Sequence, residues 1–135
     1  MGDAKSATGA IAGIDHINIR IDPGAEALER AKDFYGTVLR MTPIERPENV
    51  ESRDPGAWYK CGSNEVHITA EAGASERNRA TRRHAAFLVR GLEELRVRME
   101  KAGAEIIAGT VLPGRRRFFA RDPFGNRLEF MEPED

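Results

Sequence analysis

The sequence predicts an α+β fold of two βαβββ modules. Three observations carry that prediction. Strand-like alternation and helix-like stripes follow one another in the same order twice; short segments of the two halves align residue by residue; and the chain is too short for anything larger. At about 100–200 residues per domain, 135 residues hold one ordinary domain or two small repeated halves sharing a core.

Residues 1–12 are small, polar and without periodicity, which predicts a flexible N-terminal tail ahead of one domain spanning 13–132. Gly13 to Ile21 alternates Ile17, Ile19 and Ile21 with His16, Asn18 and Arg20, the mark of a strand with one apolar and one polar face. Asp22-Pro23-Gly24 ends it and offers a helix N-cap. Leu28, Ala31, Tyr35, Val38 and Leu39 then form the stripe of an amphipathic helix. Thr42 to Pro55 holds three prolines and many charges, hence a loop with room for one edge strand. Ala57–Cys61 and Glu65–Glu71, split by Gly62-Ser63-Asn64, complete module one (13–71) as a hairpin.

A polar, basic stretch reads as a linker over 72–83. Module two (84–132) repeats the order: strand His84–Arg90, helix Leu92–Ala102 with Gly103 at a C-cap, and strands Arg115–Arg121 and Asn126–Met131. Asp122-Pro123-Phe124-Gly125-Asn126 supplies the last turn. The repeat holds at residue level. Asp15–Ile19 aligns with Arg83–Phe87, and Asn64–Ile68 aligns with Asn126–Phe130.

That alignment pairs His16 with His84 and His67 with Glu129, and these are all three histidines of the chain. In each strand the candidate lies opposite the residues suited to pack under a helix: the isoleucines for His16, Val66 and Ile68 for His67, Ala85 and Phe87 for His84, Leu128 and Phe130 for Glu129. Three imidazoles and a carboxylate on one polar face make a site for a divalent metal ion, with Zn, Ni, Fe, Mn or Co all compatible. Four protein ligands on a six-coordinate ion would leave two positions open, a catalytic rather than a structural arrangement.

Arg115-Arg116-Arg117 precedes a strand, and Arg20 and Arg90 share the polar face of theirs. Arg20 and Arg117 are candidates to hold an anionic substrate through a guanidinium fork, against a plain solvated hairpin. Trp58, Tyr59 and Phe119 are candidates to floor a substrate pocket or to fill the core. Lys and Arg number 21 against 22 Asp and Glu, for a net charge of −1. That balance argues against a nucleic-acid or anionic-membrane partner. No apolar run approaches the roughly 20 residues of a membrane span, no signal-peptide plan opens the chain, and Cys61 is the only cysteine. These features predict a soluble cytoplasmic protein whose partner is a small molecule. Cys61 has no activating neighbour and reads as a packing residue.

The closing run Phe118-Phe119-Ala120-Arg121-Asp122-Pro123-Phe124-Gly125-Asn126-Arg127-Leu128-Glu129-Phe130 closely resembles the C-terminal signature of the vicinal oxygen chelate superfamily. That superfamily includes glyoxalase I, bleomycin resistance proteins, fosfomycin-resistance enzymes, methylmalonyl-CoA epimerase and extradiol dioxygenases. The resemblance extends to the His16 strand, to Phe34-Tyr35-Gly36 and to the His84 strand, and so covers about residues 13–132. It implies the glyoxalase/bleomycin resistance/dihydroxybiphenyl dioxygenase fold, in which the two modules form a cupped mixed β-sheet with helices on its outer face, and metal ligands at His16, His67, His84 and Glu129. The glyoxalase and epimerase branches usually carry a carboxylate or amide at the place of His67, a departure in this chain. The resemblance further implies lyase, isomerase or epimerase chemistry on a small vicinal-oxygen substrate through a metal-chelated enediolate, with Glu129 or His67 as base. Two alternatives stand beside it. One is an Fe(II)-dependent extradiol-type dioxygenase using His16, His84 and Glu129 as a facial triad; the other is a non-catalytic drug-binding protein of the bleomycin-resistance kind. Relatives of this size commonly form homodimers, and a homodimer is expected here.

Overall fold

The structure is a computed structural model and describes residues 8–47 and 55–134. Its elements run β1 (His16–Ile21), α1 (Ala25–Lys32), a wider π-helical segment (Asp33–Val38), β2 (Thr42–Ile44), β3 (Gly56–Cys61) and β4 (Asn64–Ala70) in the first half. After α2 (Ala74–Arg79) come β5 (His84–Leu88), α3 (Leu92–Lys101), β6 (Glu105–Ala108), β7 (Arg115–Arg121) and β8 (Arg127–Pro133). Each half is a four-stranded mixed sheet, β1-β4-β3-β2 in one and β5-β8-β7-β6 in the other. In each, the first strand pairs in parallel with the last, and the other pairings are antiparallel. The expected cupped sheet is thus built as two sheets, with β1 and β5 as edge strands.

The strand registers settle which side chains share a face. His16 pairs with Glu65 and Asn18 with His67, while His84 pairs with Arg127 and Ala86 with Glu129. The two halves therefore superpose in register with no slip, so the residue-level repeat of the sequence is a repeat of backbone position. On the opposite face Ile19, Ile21, Val66 and Ile68 of the first sheet and Phe87, Phe118, Leu128 and Phe130 of the second are buried. They form one core with Ala27, Ala31, Phe34 and Tyr35 of the first helical segment and Leu92, Leu95 and Met99 of α3. Each fully buried side chain of this kind contributes roughly 1.5–3 kcal/mol.

Three elements differ from expectation. The linker 72–83 contains α2, which no apolar periodicity announces because only Ala74 of it is buried. Asp22 does not cap α1, which starts at Gly24 without a side-chain cap; its carboxylate instead accepts from the Ser75 N–H at 3.0 Å and the Ser75 hydroxyl at 2.5 Å, tying the start of α2 to the end of β1. Strand β6 was not anticipated, since two isoleucines in four residues are too short a pattern. In the loop 42–55 the edge strand is β2, and residues 48–54 lie outside the described residues, as do residues 1–7 of the expected tail; residues 8–12 are exposed. Gly103 follows α3 at φ 83° and its neighbour Ala104 bonds back to Met99, the Schellman closure expected.

A buried knot joins the halves. The Tyr35 hydroxyl donates to Asp122 Oδ2 at 2.6 Å. Asp122 also accepts from the backbone N–H groups of Phe124 and Asn126 and from the Asn126 amide, each at 2.8 Å. The Asp-Pro-Phe-Gly-Asn turn is folded around that carboxylate, with Gly125 at φ 80°, a conformation side chains rarely adopt. Burial pushes the Asp122 carboxyl above the usual carboxylate range, and burial beside it raises Tyr35 well above an ordinary phenol. Among the described residues no helix is long and apolar enough to cross a membrane.

Candidate metal centre

Period-two geometry puts His16, Asn18 and Arg20 on one face of β1, with Glu65, His67 and Thr69 beside them on β4 and Trp58 across from His67 on β3. The equivalent face of the second sheet carries His84 on β5, Arg127 and Glu129 on β8, and Arg117 and Phe119 on β7. His67 and Glu129, 7% and 5% exposed, are buried, which is unusual for polar side chains and requires partners.

In the first half three rings form a stack. His16 lies 4.0 Å from His67, centroid to centroid, and His67 lies 3.7 Å from Trp58, nearly parallel. His67 Nε2 is 2.8 Å from Glu65 Oε1, and His16 Nδ1 is 2.9 Å from Asp15 Oδ2. Carboxylates only accept when ionised. With each imidazole neutral, the contacted nitrogen carries the hydrogen and the other nitrogen, Nδ1 of His67 and Nε2 of His16, keeps its lone pair. A carboxylate holding the far side of an imidazole is the usual support for a metal ligand.

The second half is arranged differently. His84 Nδ1 is 2.9 Å from the Arg82 carbonyl, which can only accept, so Nδ1 bears the hydrogen. His84 Nε2 then faces Glu129 Oε1 at 3.1 Å. In the neutral ring this places a lone pair against a carboxylate oxygen, and such a contact needs a cation between them, a proton or a metal ion. Glu129 Oε2 accepts from Arg117 Nη1 at 3.1 Å. Phe119 meets His84 edge-on at 5.4 Å and carries two guanidinium groups over its ring, Arg127 at 4.4 Å and Arg117 at 5.1 Å.

The four expected ligands thus come together as two pairs, His16 with His67 and His84 with Glu129. Among the described residues no three His, Cys, Asp or Glu side chains of one chain gather closely enough to hold a metal ion. The arginines sort themselves. Arg20 is paired with Glu71 at 3.6 Å, and Arg117 is committed to Glu129 and to Thr110. Arg116 points to the other face, where it binds Glu132, and Arg90 lies beyond the end of β5. Tyr59 is core rather than pocket floor, and burial pushes the Cys61 thiol up, in keeping with a packing role. Trp58 and Phe119 do lie on the polar faces, each against a candidate ligand. Sequence reasoning passed over Glu65 and Arg127, although each stands two residues before a candidate ligand on the same strand face. Strand periodicity alone could have found them.

A sequence model of the Glyoxalase/Bleomycin resistance protein/Dioxygenase superfamily matches residues 13–130. No curated protein sequence matches the chain. Among solved structures, a glyoxalase family protein from Bacillus anthracis is 40% identical, with a TM-score of 0.80 over 93% of this chain and 98% of its own. A variant of the fosfomycin resistance protein FosX from Listeria monocytogenes, complexed with Mn(II) and 1S,2S-dihydroxypropylphosphonic acid, is 18% identical, with a TM-score of 0.73 over 91% and 93%. Lactoylglutathione lyase from Agrobacterium tumefaciens is 17% identical, with a TM-score of 0.63 over 90% and 94%. The last two are likenesses of fold.

Proposed function

The chain belongs to the glyoxalase/bleomycin resistance protein/dioxygenase superfamily, and from that premise we propose that it is a divalent-metal-dependent enzyme of the glyoxalase type, a lyase, isomerase or epimerase acting on a small substrate with two adjacent oxygens. The observation that carries the proposal is the contact of His84 Nε2 with Glu129 Oε1 at 3.1 Å, a ring nitrogen and a carboxylate oxygen that need a cation between them, a proton or a metal ion. His16 and His67, each backed by a carboxylate, supply the other donors. Imidazole and carboxylate together suit Zn, Ni, Fe, Mn or Co, and Mn(II) accompanies the FosX variant of the same fold.

Two donors do not make a metal site, and one chain offers two at each of two places. We therefore place the complete site in a homodimer, with His16 and His67 of one copy facing His84 and Glu129 of the other. A two-fold axis makes two such sites at once.

When bound, the ion would supply Lewis-acid polarisation of the two substrate oxygens. The remaining work falls to the chain. Glu129 is the proton acceptor for the C–H bond beside the polarised oxygens, and Arg117 keeps its carboxylate oriented through Oε2. His67, fixed by Glu65 and by ring stacking, is the second group able to hold a proton at that point. Trp58 and Phe119 floor the site and keep water from its base. A cytoplasmic setting suits a chain with a single cysteine.

Complementation between variants tests the proposal. One variant carries His16→Ala with His67→Ala, the other His84→Ala with Glu129→Ala. Each alone should bind no stoichiometric metal. Mixed so that subunits exchange, they should recover metal and turnover, because a heterodimer holds one intact site. Full metal binding by either variant alone would defeat the ligand assignment, and no recovery on mixing would place the site within one chain.

A further inference from the structure

We propose that Arg127, with Arg83 beside it, anchors an oxyanion group of the substrate, carboxylate or phosphate-like, in the cleft along the seam between β1 and β5. This rests on the site reading above and names the substrate class. The cleft has a volume of about 670 Å³; its polar lining includes Asn18 of β1, Thr81 and Arg83 on the approach to β5, His84 at the start of β5 and Arg127 of β8. Clefts of this size take small organic ligands. Among the described residues no Asp or Glu lines it, although acids slightly outnumber bases in the whole chain. A cleft of about 550 Å³ elsewhere on the molecule shows the contrast: Glu26, Glu29, Asp33 and Glu105 stand among its arginines.

The donors around the seam divide into spent and unspent. The Asn78 amide donates to Arg20 O and Phe124 O, and the Asn126 amide to Arg20 O and Asp122. Arg77 is taken by Glu71 and Ala72 O. These bonds brace the walls and leave nothing for a ligand. Among the described residues Arg127 has no carboxylate partner, and its guanidinium carbon lies over the Phe119 ring, 4.4 Å from the centroid. Stacking fixes the plane of a guanidinium and leaves its N–H rim free for a planar or tetrahedral oxyanion. Arg127 stands directly across from His84 in the strand register. An anion held there sits beside the His84–Glu129 pair, because Arg127 pairs with His84 in register and stands two residues before Glu129 on the same strand face. This takes over the role first assigned to Arg20 and Arg117, both of which are committed to carboxylates of their own.

Calorimetric titration of inorganic phosphate, and separately of acetate, into the protein as purified and after chelator treatment tests the proposal. Saturable binding should survive chelation, and the tighter of the two anions identifies the group. Arg127→Gln should weaken it roughly tenfold or more, the worth of one charge-assisted contact. Arg83→Gln should weaken it less, and Arg127→Lys should keep part of it. Arg96→Gln, which removes the same charge from α3, should leave it unchanged. The proposal is overturned if neither anion binds, if chelation abolishes binding, if Arg127→Gln binds normally, or if Arg96→Gln loses as much. Metal content separates the two readings. It should stay normal in Arg127→Gln, whereas a wild-type protein that never takes up metal ends the metal proposal and leaves the anion result standing.

Discussion

The two sheets hold their polar-face side chains at matching positions and use them in opposite ways. His16 and His84 match, as do His67 and Glu129, Trp58 and Phe119, and Glu65 and Arg127. In the first sheet the aromatic position, Trp58, stacks flat on His67, and Glu65 holds the same imidazole from two residues away. In the second sheet the aromatic position, Phe119, meets His84 in an edge-on contact, its ring carries two guanidinium groups, and the Glu129 carboxylate is held by one of them. Register preserves where donors point, because a slip of one residue would send all of them into the core. The sign of the flanking charge is free to change. One half has become a pair of imidazoles beside an acid, the other an acid among arginines.

The comparison breaks first at Glu129. If the second half carries the proton transfer, Glu129→Gln should lower kcat roughly 10²–10⁴-fold, while the matching change His67→Gln should lower metal affinity more than it lowers kcat at saturating metal. Steady-state kinetics at several metal concentrations read the difference. Equal losses of kcat in both variants would mean that the halves share the proton.

The next largest effect concerns what joins the halves. Asp122→Ala leaves the Tyr35 hydroxyl and two backbone N–H groups without their acceptor in the interior, at a cost of roughly 3–5 kcal/mol. Tyr35→Phe removes one donor and should cost about 1 kcal/mol. Denaturant unfolding of both variants and of the double variant isolates the coupling. A coupling near zero would show that the turn holds itself and that the halves are joined by apolar packing alone.

Smaller again is the support of His67. Glu65→Gln keeps the shape and loses the charge that backs the imidazole, and on the proposed function it should weaken metal binding about 10–100-fold. Its counterpart Arg127→Gln should leave metal binding alone. Metal titration of the two variants side by side asks whether the opposite charges have opposite jobs.

Much of this layout was legible in the sequence because it depends on period-two alternation. Every strand with three or more alternating apolar residues was found within a few residues of its ends, and the polar faces followed from it. What was missed lacks that signal. α2 is held to the molecule by Asp22, Asn78 and one buried alanine, so its sequence reads as a linker. β6 is too short to show a period. Of the candidate site, the shared polar faces of His16, His67, His84 and Glu129 were legible through the repeat. Their gathering into pairs was not, since periodicity within a strand says nothing of the distance between two sheets. Nor could charge in the sequence tell a committed arginine such as Arg117 from an unspent one such as Arg127.

The smallest expected effect sharpens the comparison at the helix starts. α1 begins without a side-chain cap, whereas α3 is capped from the neighbouring strand: Glu132 accepts from the Gly91 N–H at 2.8 Å and the Leu92 N–H at 3.1 Å, and Arg116 pairs with it. The matching position in the first sheet is Ala70, which has nothing to offer a helix. The backbone N–H groups of Gly91 and Leu92 hold the Glu132 carboxyl below the usual glutamate range. A carboxylate with a lowered folded pKa binds protons less readily than in the unfolded chain, so its stabilisation is present above the unfolded pKa of about 4.3 and is lost as pH falls through the lower folded value. Glu132→Gln retains one acceptor and no charge. It should lower the Tm modestly near neutral pH and lose less than the wild type does on acidification below about pH 4.3. Parallel Tm curves for the two proteins across that range would mean that the helix start of the second half is held by packing, as that of the first half must be.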